Sequence, residues 1–357
     1  MHFQRKYLSQ QVAGRLAAEL RSGAWQNNLP SERKLAAFFD VSRKTIRAAL
    51  AVLVRTGTCR SIKKGKVFAA SPKNMPVKIG EKTVVLISSI LANRSPHSLD
   101  LIQQLDHYFA LSGYTLQLEL MPVRVNLRRW LEKVYDEHRA SVWLLSTVTK
   151  AVQRWFEQRR LPSLILGSRH EGIHLPGLDI DYRAVCRHAA HALLRLGHRR
   201  IVYFSLDSGF AGDLDSERGF SEAFSASVPG MVTSRIVRHN DNVVQIGRLL
   251  NRLFNGMAPP TAMIVSRTFY TMTVLGHLGL IGKRIPKDVS VICRDDDPMF
   301  KYFVPSPAHY YINWNRFVRR AVQMTVGIDQ GIFPRPASLR IMPRFVPGES
   351  LAPAGKP

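Results

Sequence analysis

The sequence predicts an α/β protein in two unequal parts: a small, strongly basic helical head, then a large domain of parallel sheets covered by helices. Three observations predict it. Charge is concentrated at one end, since residues 1–70 carry 14 of the 51 lysines and arginines against three acids, Glu19, Glu32 and Asp40. Composition breaks at "SPKNMPVKIGEK" (71–82), where two prolines, a glycine and no apolar periodicity read as a linker. Beyond it, short apolar β-rich runs alternate with helices of ten to fifteen residues, the pattern of parallel sheets buried on both faces. At 357 residues the chain is long enough for a small domain and a large one, and the large one can bury a substantial core.

Three helices fit the head. In residues 9–22, Val12, Leu16 and Leu20 fall at i, i+4 and i+8, and Gly23 ends the run. A second helix opens at Pro30-Ser31, with Ser31 as N-cap to "ERKLAAFF". The third starts at Ser42 after the tight connection "FDV". On it Ile46, Ala49, Leu50 and Leu53 share an inner face, while Lys44, Arg47, Ala48, Ala51 and Arg55 face out; bases and small alanines together make a surface that fits a groove. The following "TGTCRSIKKGKVFAA" reads as a hairpin with Lys63, Lys64 and Lys66 around Gly65 at its tip, so the whole head is a winged helix-turn-helix. A net charge of +25 calls for a polyanionic partner, nucleic acid or an anionic membrane surface.

In the large part, "TVVLISSI", "YTLQLELM", "SVWLLS", "PSLILG", "RIVYFS", "TAMIVS" and "DVSVIC" read as strands. Helices are expected near 98–112, 126–138, 149–160, 182–196, 215–226 and 269–280. Organised this way, the chain divides into a head (1–70), a linker (71–82), a two-lobed domain (83–347) and a Pro-rich tail (348–357). Cys59, Cys186 and Cys293 lack metal-ligand spacing, which argues against a zinc site or a disulfide framework. No signal-peptide pattern and no membrane-length apolar run occurs, so a cytoplasmic location is expected. No GxSxG, HExxH, P-loop or strand-linked GxGxxG is present, so nothing nominates an enzyme or a cofactor. His198 in "LGHRRI" reads as a packing and turn-bonding residue.

The stretch "LPSERKLAAFFDVSRKTIRAALAVLVRTG" resembles the DNA-binding domain of the GntR family almost position for position. The resemblance implies double-stranded operator DNA as partner, contacted by Arg33, Ser42, Arg43, Thr45 and Arg47, with a wing around Lys64 and Gly65. Lys44 departs from the small hydroxyl or proline more usual there, a change that would alter base preference.

The segments "AAHALLRLGHRRIVYFS", "SERGFSEAF", "PPTAMIVS" and "GLIGKRIPKDVSVICRDDDPMFKYFVPSP" resemble the effector domain of the LacI and galactose repressor family, which is similar to periplasmic sugar-binding proteins. That resemblance implies two parallel α/β lobes, three crossovers and a small-molecule cleft between them. The combination is similar to the arabinose-responsive repressors of bacilli. Arg218 and Asp295 stand at positions that would meet a ligand, and Ser89 is a weaker match. Where relatives have Asn-Asp after "TAMIV", this chain has Ser266, Arg267 and Thr268; Thr268 is expected to cap the next helix.

Two readings of Arg267 stand side by side. Facing the cleft beside Arg218, it suits an acidic or phosphorylated sugar. Facing solvent, it leaves an ordinary monosaccharide. The resemblance further implies a homodimer, with repression as the family default. The alternatives are a constitutive regulator whose large domain serves dimerisation or protein contacts and, from another class, a carbohydrate-metabolising enzyme.

Overall fold

The computed structural model describes Val12, Ala13 and Leu16, then residues 29–55, 59–62, 66–69, 82–89, 96–122, 125–225, 230–332 and 337–355. The chain divides into two compact units, Met1–Glu81 and Lys82–Pro357.

In the first unit, helix α1 (Glu32–Phe38) starts where Ser31 Oγ accepts from the Lys34 N–H, as a capping serine should. Asp40 takes a positive φ of 50° in the turn that leads to α2 (Arg43–Arg55). Ile46, Ala49, Leu50 and Leu53 of α2 are buried with Leu35, Val12, Ala13 and Leu16, so the expected inner face is the observed one. Strands β1 (Cys59–Ile62) and β2 (Lys66–Ala69) pair antiparallel. The expected wing tip, Lys64 and Gly65, lies outside the described residues, as does the end of the first helix.

The second unit contains two parallel sheets. The first has β3 (Lys82–Ser89), β4 (Tyr114–Met121), β5 (Val142–Ser146), β6 (Ser163–Leu166), β7 (Gly177–Ile180) and, from far along the chain, β13 (Ser338–Ile341), in the order β13-β7-β6-β5-β3-β4. Helices α3 (Pro96–Leu111) and α10 (Trp314–Asp329) cover one face, and α4 (Leu127–Glu137) and α5 (Lys150–Gln158) the other. The second sheet runs β11-β10-β8-β9, from β8 (Arg200–Leu206), β9 (Thr233–His239), β10 (Ala262–Val265) and β11 (Ser290–Cys293). Its faces carry α6 (Tyr182–Arg195) and α7 (Ala211–Glu222) on one side, α8 (Val243–Phe254) and α9 (Thr268–Leu280) on the other. Burial on both faces explains why "AMIV" and "SVIC" are continuous apolar runs rather than alternating ones.

The chain passes between the lobes three times: after β7, after β12 (His309–Tyr311), and between β13 and β14 (Arg344–Val346), which returns to pair antiparallel with β12. Two expectations need correction. Helix α7 spans 211–222 rather than 215–226, because it begins at Phe210 without any side-chain cap to mark it. Residues 348–355 are no free tail: Ser350 is fully buried and donates to the Val291 carbonyl at 2.5 Å, and the Ala354 N–H donates to the Leu196 carbonyl at 2.7 Å. His198 explains part of this anchoring, since it is buried between Thr261, Ser290 and the Ala352 carbonyl at 3.1 Å each, a bonding role rather than a catalytic one. Among the described residues no helix is long and apolar enough to cross a membrane.

Candidate functional site

On the head, the outer face of α2 presents Arg43, Lys44, Arg47, Ala48 and Ala51, all exposed. Ser42 caps the helix by accepting from the Thr45 N–H at 3.2 Å and bonds the Thr45 hydroxyl at 2.9 Å, so both polar residues are fixed at the helix N-terminus. Arg33 is exposed on α1. Arg47 Nε donates to Glu32 at 2.8 Å and Arg43 lies 3.9 Å from the same carboxylate. Both guanidiniums stay more than 60% exposed, so a phosphate or base edge can compete for them.

In the large unit, ligands of parallel α/β folds sit beyond the carboxyl ends of strands. A cavity of about 280 Å³ lies there, lined from the ends of β3, β5, β6 and β7 on one lobe and from the start of α7 and the ends of β10 and β11 on the other. The first lobe contributes Ser88, Thr147, Gln153, Ser168 and Asp179, with Leu101, Ile102, Leu105 and Phe317 beside them. The second contributes Phe210, Gly212, Asp213, Arg267, Phe269 and Arg294 through Asp296. Gly212 allows the lobes to meet, since a Cβ there would stand 2.9 Å from Ser168 Oγ.

Arg294 is the centre of the charged wall. It is only 4% exposed; Nη1 donates to Asp213 at 2.8 Å and to Ser216 at 2.9 Å, and Nε donates to Asp295 at 3.0 Å. Its guanidinium also stacks on the Tyr182 ring, 4.3 Å from the centroid. Arg267 Nη2 donates to the other oxygen of Asp213 at 2.8 Å. Burial would raise the Asp213 carboxyl, but Arg294 and Arg267 override it and hold it below the ordinary range. Asp179 has no such partner. Burial pushes it up to about 7, against the hydrogen bonds it accepts from Ser168 Oγ at 2.5 Å and the Ile180 N–H at 2.8 Å.

Four expectations change. Arg218 does not line the cavity: its side chain is 51% exposed and pairs with Glu171 at 3.1 Å and Asp215 at 3.7 Å. The reason is helical. Ser216 is the fully buried residue that meets Arg294, and two residues onward the side chain points to the far side of α7. Ser89 is buried but absent from the lining, because Ser88, on the opposite face of β3, takes that place. Thr268 is the first residue of α9 and makes no cap; Arg267 holds the cap position without a side-chain bond. Arg267 does face the cavity, as the first of the two readings had it, but its charge is spent on Asp213 and Arg218 is not beside it. Asp295 lines the cavity as expected.

Sequence reading missed Arg294, Asp213, Tyr182 and Asp179. The one available signal was position: Arg294 directly follows the buried run "SVIC", so it must emerge at a strand's carboxyl end.

Head and cleft together define a DNA-binding protein with a two-lobed ligand-type domain. The model described as bacterial regulatory proteins of the gntR family matches residues 8–68, and the periplasmic binding protein-like domain matches residues 190–351. The chain is 22% identical over 284 residues to an arabinose metabolism transcriptional repressor of Geobacillus stearothermophilus, covering 75% of this chain and 76% of that protein. It is 27% identical over 128 residues to the HTH-type transcriptional regulator AglR of Rhizobium meliloti, covering 35% and 36%. Among solved structures, CcpA of Lactococcus lactis superposes with a TM-score of 0.65 at 15% identity, over 76% of this chain and 99% of that one. A LacI-family regulator from Enterococcus faecium with bound ribose superposes with a TM-score of 0.63 at 17% identity, over 76% and 99%.

The chain therefore carries the domain pair of a transcriptional regulator: a head matching the gntR regulatory model and a periplasmic binding protein-like domain, the latter with the fold of LacI-type regulators. The relatives named are regulators, not enzymes.

Proposed function

We propose that the protein is a homodimeric, effector-responsive repressor. Its α2 helix lies in the major groove of operator DNA, with Arg33, Ser42, Arg43, Lys44, Thr45 and Arg47 as contacts and the Lys64-Gly65 segment on phosphate. A small molecule in the inter-lobe cavity favours one lobe arrangement and so changes the affinity of the heads, the two units being joined through residues 71–82. The observation that carries this reading is the formed cavity, with charged and polar groups in a largely apolar lining, at the strand ends of a chain whose other end is a basic helix-turn-helix. A coupling of about 1–3 kcal/mol would change operator affinity about 5- to 150-fold.

Fluorescence anisotropy tests it: a fragment of the gene's own upstream DNA is titrated at fixed salt with and without compounds. Pentoses are reasonable members of the panel, given the arabinose-metabolism relative and the ribose-bound neighbour. A saturable change in affinity with one compound class supports ligand gating; tight binding that no compound alters sinks it.

A further inference from the structure

The cavity has two unlike walls, and their chemistry narrows what it can hold. Among its described lining residues the charged side chains are two arginines and four aspartates. Both arginines are already engaged. Arg294 is tied to Asp213, Asp295 and Ser216, and Arg267 to Asp213. Each guanidinium therefore already has a carboxylate partner, which lowers its attraction for an incoming anion.

Four carboxyl groups share the lining with these two guanidiniums. Asp213 serves both arginines and also accepts from Ser208 Oγ at 2.5 Å. Asp295 has Arg294 on one oxygen. Asp296 accepts from the Ile312 N–H at 3.3 Å and lies 3.5 Å from His309 Nε2. Asp179 accepts from Ser168 and the Ile180 N–H, and burial holds it largely protonated below about pH 7, so it adds little charge to the floor. A bound carboxylate or phosphate would meet this floor without compensation, whereas a cation would relieve it.

One part of the first lobe's lining is apolar, beside the polar Ser88, Thr147, Gln153 and Ser168. Leu101, Ile102 and Leu105 of α3, with Leu86, Ile312 and Phe317, line the same cavity. A ligand carrying hydroxyls on every side would leave some of them desolvated against this wall with nothing to bond.

We propose that the cavity takes a small amphipathic cation: an apolar ring or chain seated against Leu101, Ile102, Leu105 and Phe317, and an ammonium on the acidic floor at Asp295. This rests on the reading of the cavity as the effector site.

Three probes share one ring and differ in charge: tyramine, tyrosol and 4-hydroxyphenylacetate. Each is added at millimolar concentration to the full-length protein and the thermal transition recorded. Tyramine should raise it most, tyrosol less, and 4-hydroxyphenylacetate not at all. Asp295→Asn, which keeps the shape and an acceptor, should weaken tyramine about tenfold or more while leaving tyrosol within a few-fold. Equal shifts, a preference for the anion, or no shift with any of the three would overturn the proposal.

Anisotropy with operator DNA separates this from the broader reading. If a neutral sugar or an anion alters DNA affinity, gating stands and the cationic class falls. If tyramine shifts the transition without altering DNA affinity, the class stands and gating falls.

Discussion

Arg47 on the head and Arg294 in the cleft are the same residue type in opposite circumstances. Arg47 is 64% exposed and shares one surface carboxylate with Arg43; Arg294 is 4% exposed and is held by two aspartates, a serine and a tyrosine ring. The first is available to a partner at little cost, because an exposed pair contributes about 0–1 kcal/mol. The second is consumed within the fold. An arginine's role is thus set by its neighbours, and counting arginines near a site says little about the charge the site presents.

Breaking the buried pair should have the largest effect. Arg294→Met keeps much of the volume but takes the cation from Asp295 and leaves Asp213 with Arg267 alone, and should cost about 3–5 kcal/mol of large-domain stability, read from its urea or thermal transition. A wild-type transition would mean that Arg294 is not the keystone of that wall.

Two buried groups on opposite sides of the cleft titrate with opposite signs. Asp179 has its folded pKa raised to about 7 by burial, so the native state holds a proton that the unfolded state releases near 4, and stability falls as pH rises from about 4 to 7. Burial lowers His239 to about 4, with Asp241 opposing, so its contribution is present above about 6.5 and lost as pH falls through 4. Asp179→Asn should therefore stabilise the protein by up to about 4 kcal/mol at pH 8 and hardly at all at pH 4. A pH-independent change would show that Asp179 is not protonated in the fold; Arg340 and Asp215 are the other charges that act on it.

On the head the effects are smaller and appear in binding. Arg47→Ala should weaken specific operator binding by about 1–3 kcal/mol with folding unchanged. Unaltered affinity at fixed salt would place α2 differently in the groove. Smallest of all, Glu32→Gln frees Arg43 and Arg47 and should tighten non-specific duplex binding by about 0.2–1 kcal/mol with a steeper salt dependence. Weaker binding instead would mean that Glu32 positions the arginines.

The head was almost wholly legible. Ser31, the inner row Ile46, Ala49, Leu50 and Leu53, and the basic outer face all follow from caps and a 3.6-residue period, which are local properties. The parallel α/β rhythm was legible for the same reason. β9, α8 and α10 escaped a strand-and-helix reading; β9 is mostly exposed and so lacks the continuous apolar run of the buried strands. Residues 348–355 misled because proline and glycine look alike in a free tail and in an extended segment bonded to a sheet.

The sequence by itself determined the elements, their order, and the sites where charge gathers, because propensity, capping and periodicity act over a few residues. Tertiary structure alone decided which charges meet. Arg294 finds Asp213 from 81 residues away and Arg267 finds it from 54, while Arg218, two positions from Ser216, turns outward on the same helix. Ion pairing depends on distances of a few ångströms and on the direction of each side chain, and those are settled only when strands from both ends of a lobe lie side by side.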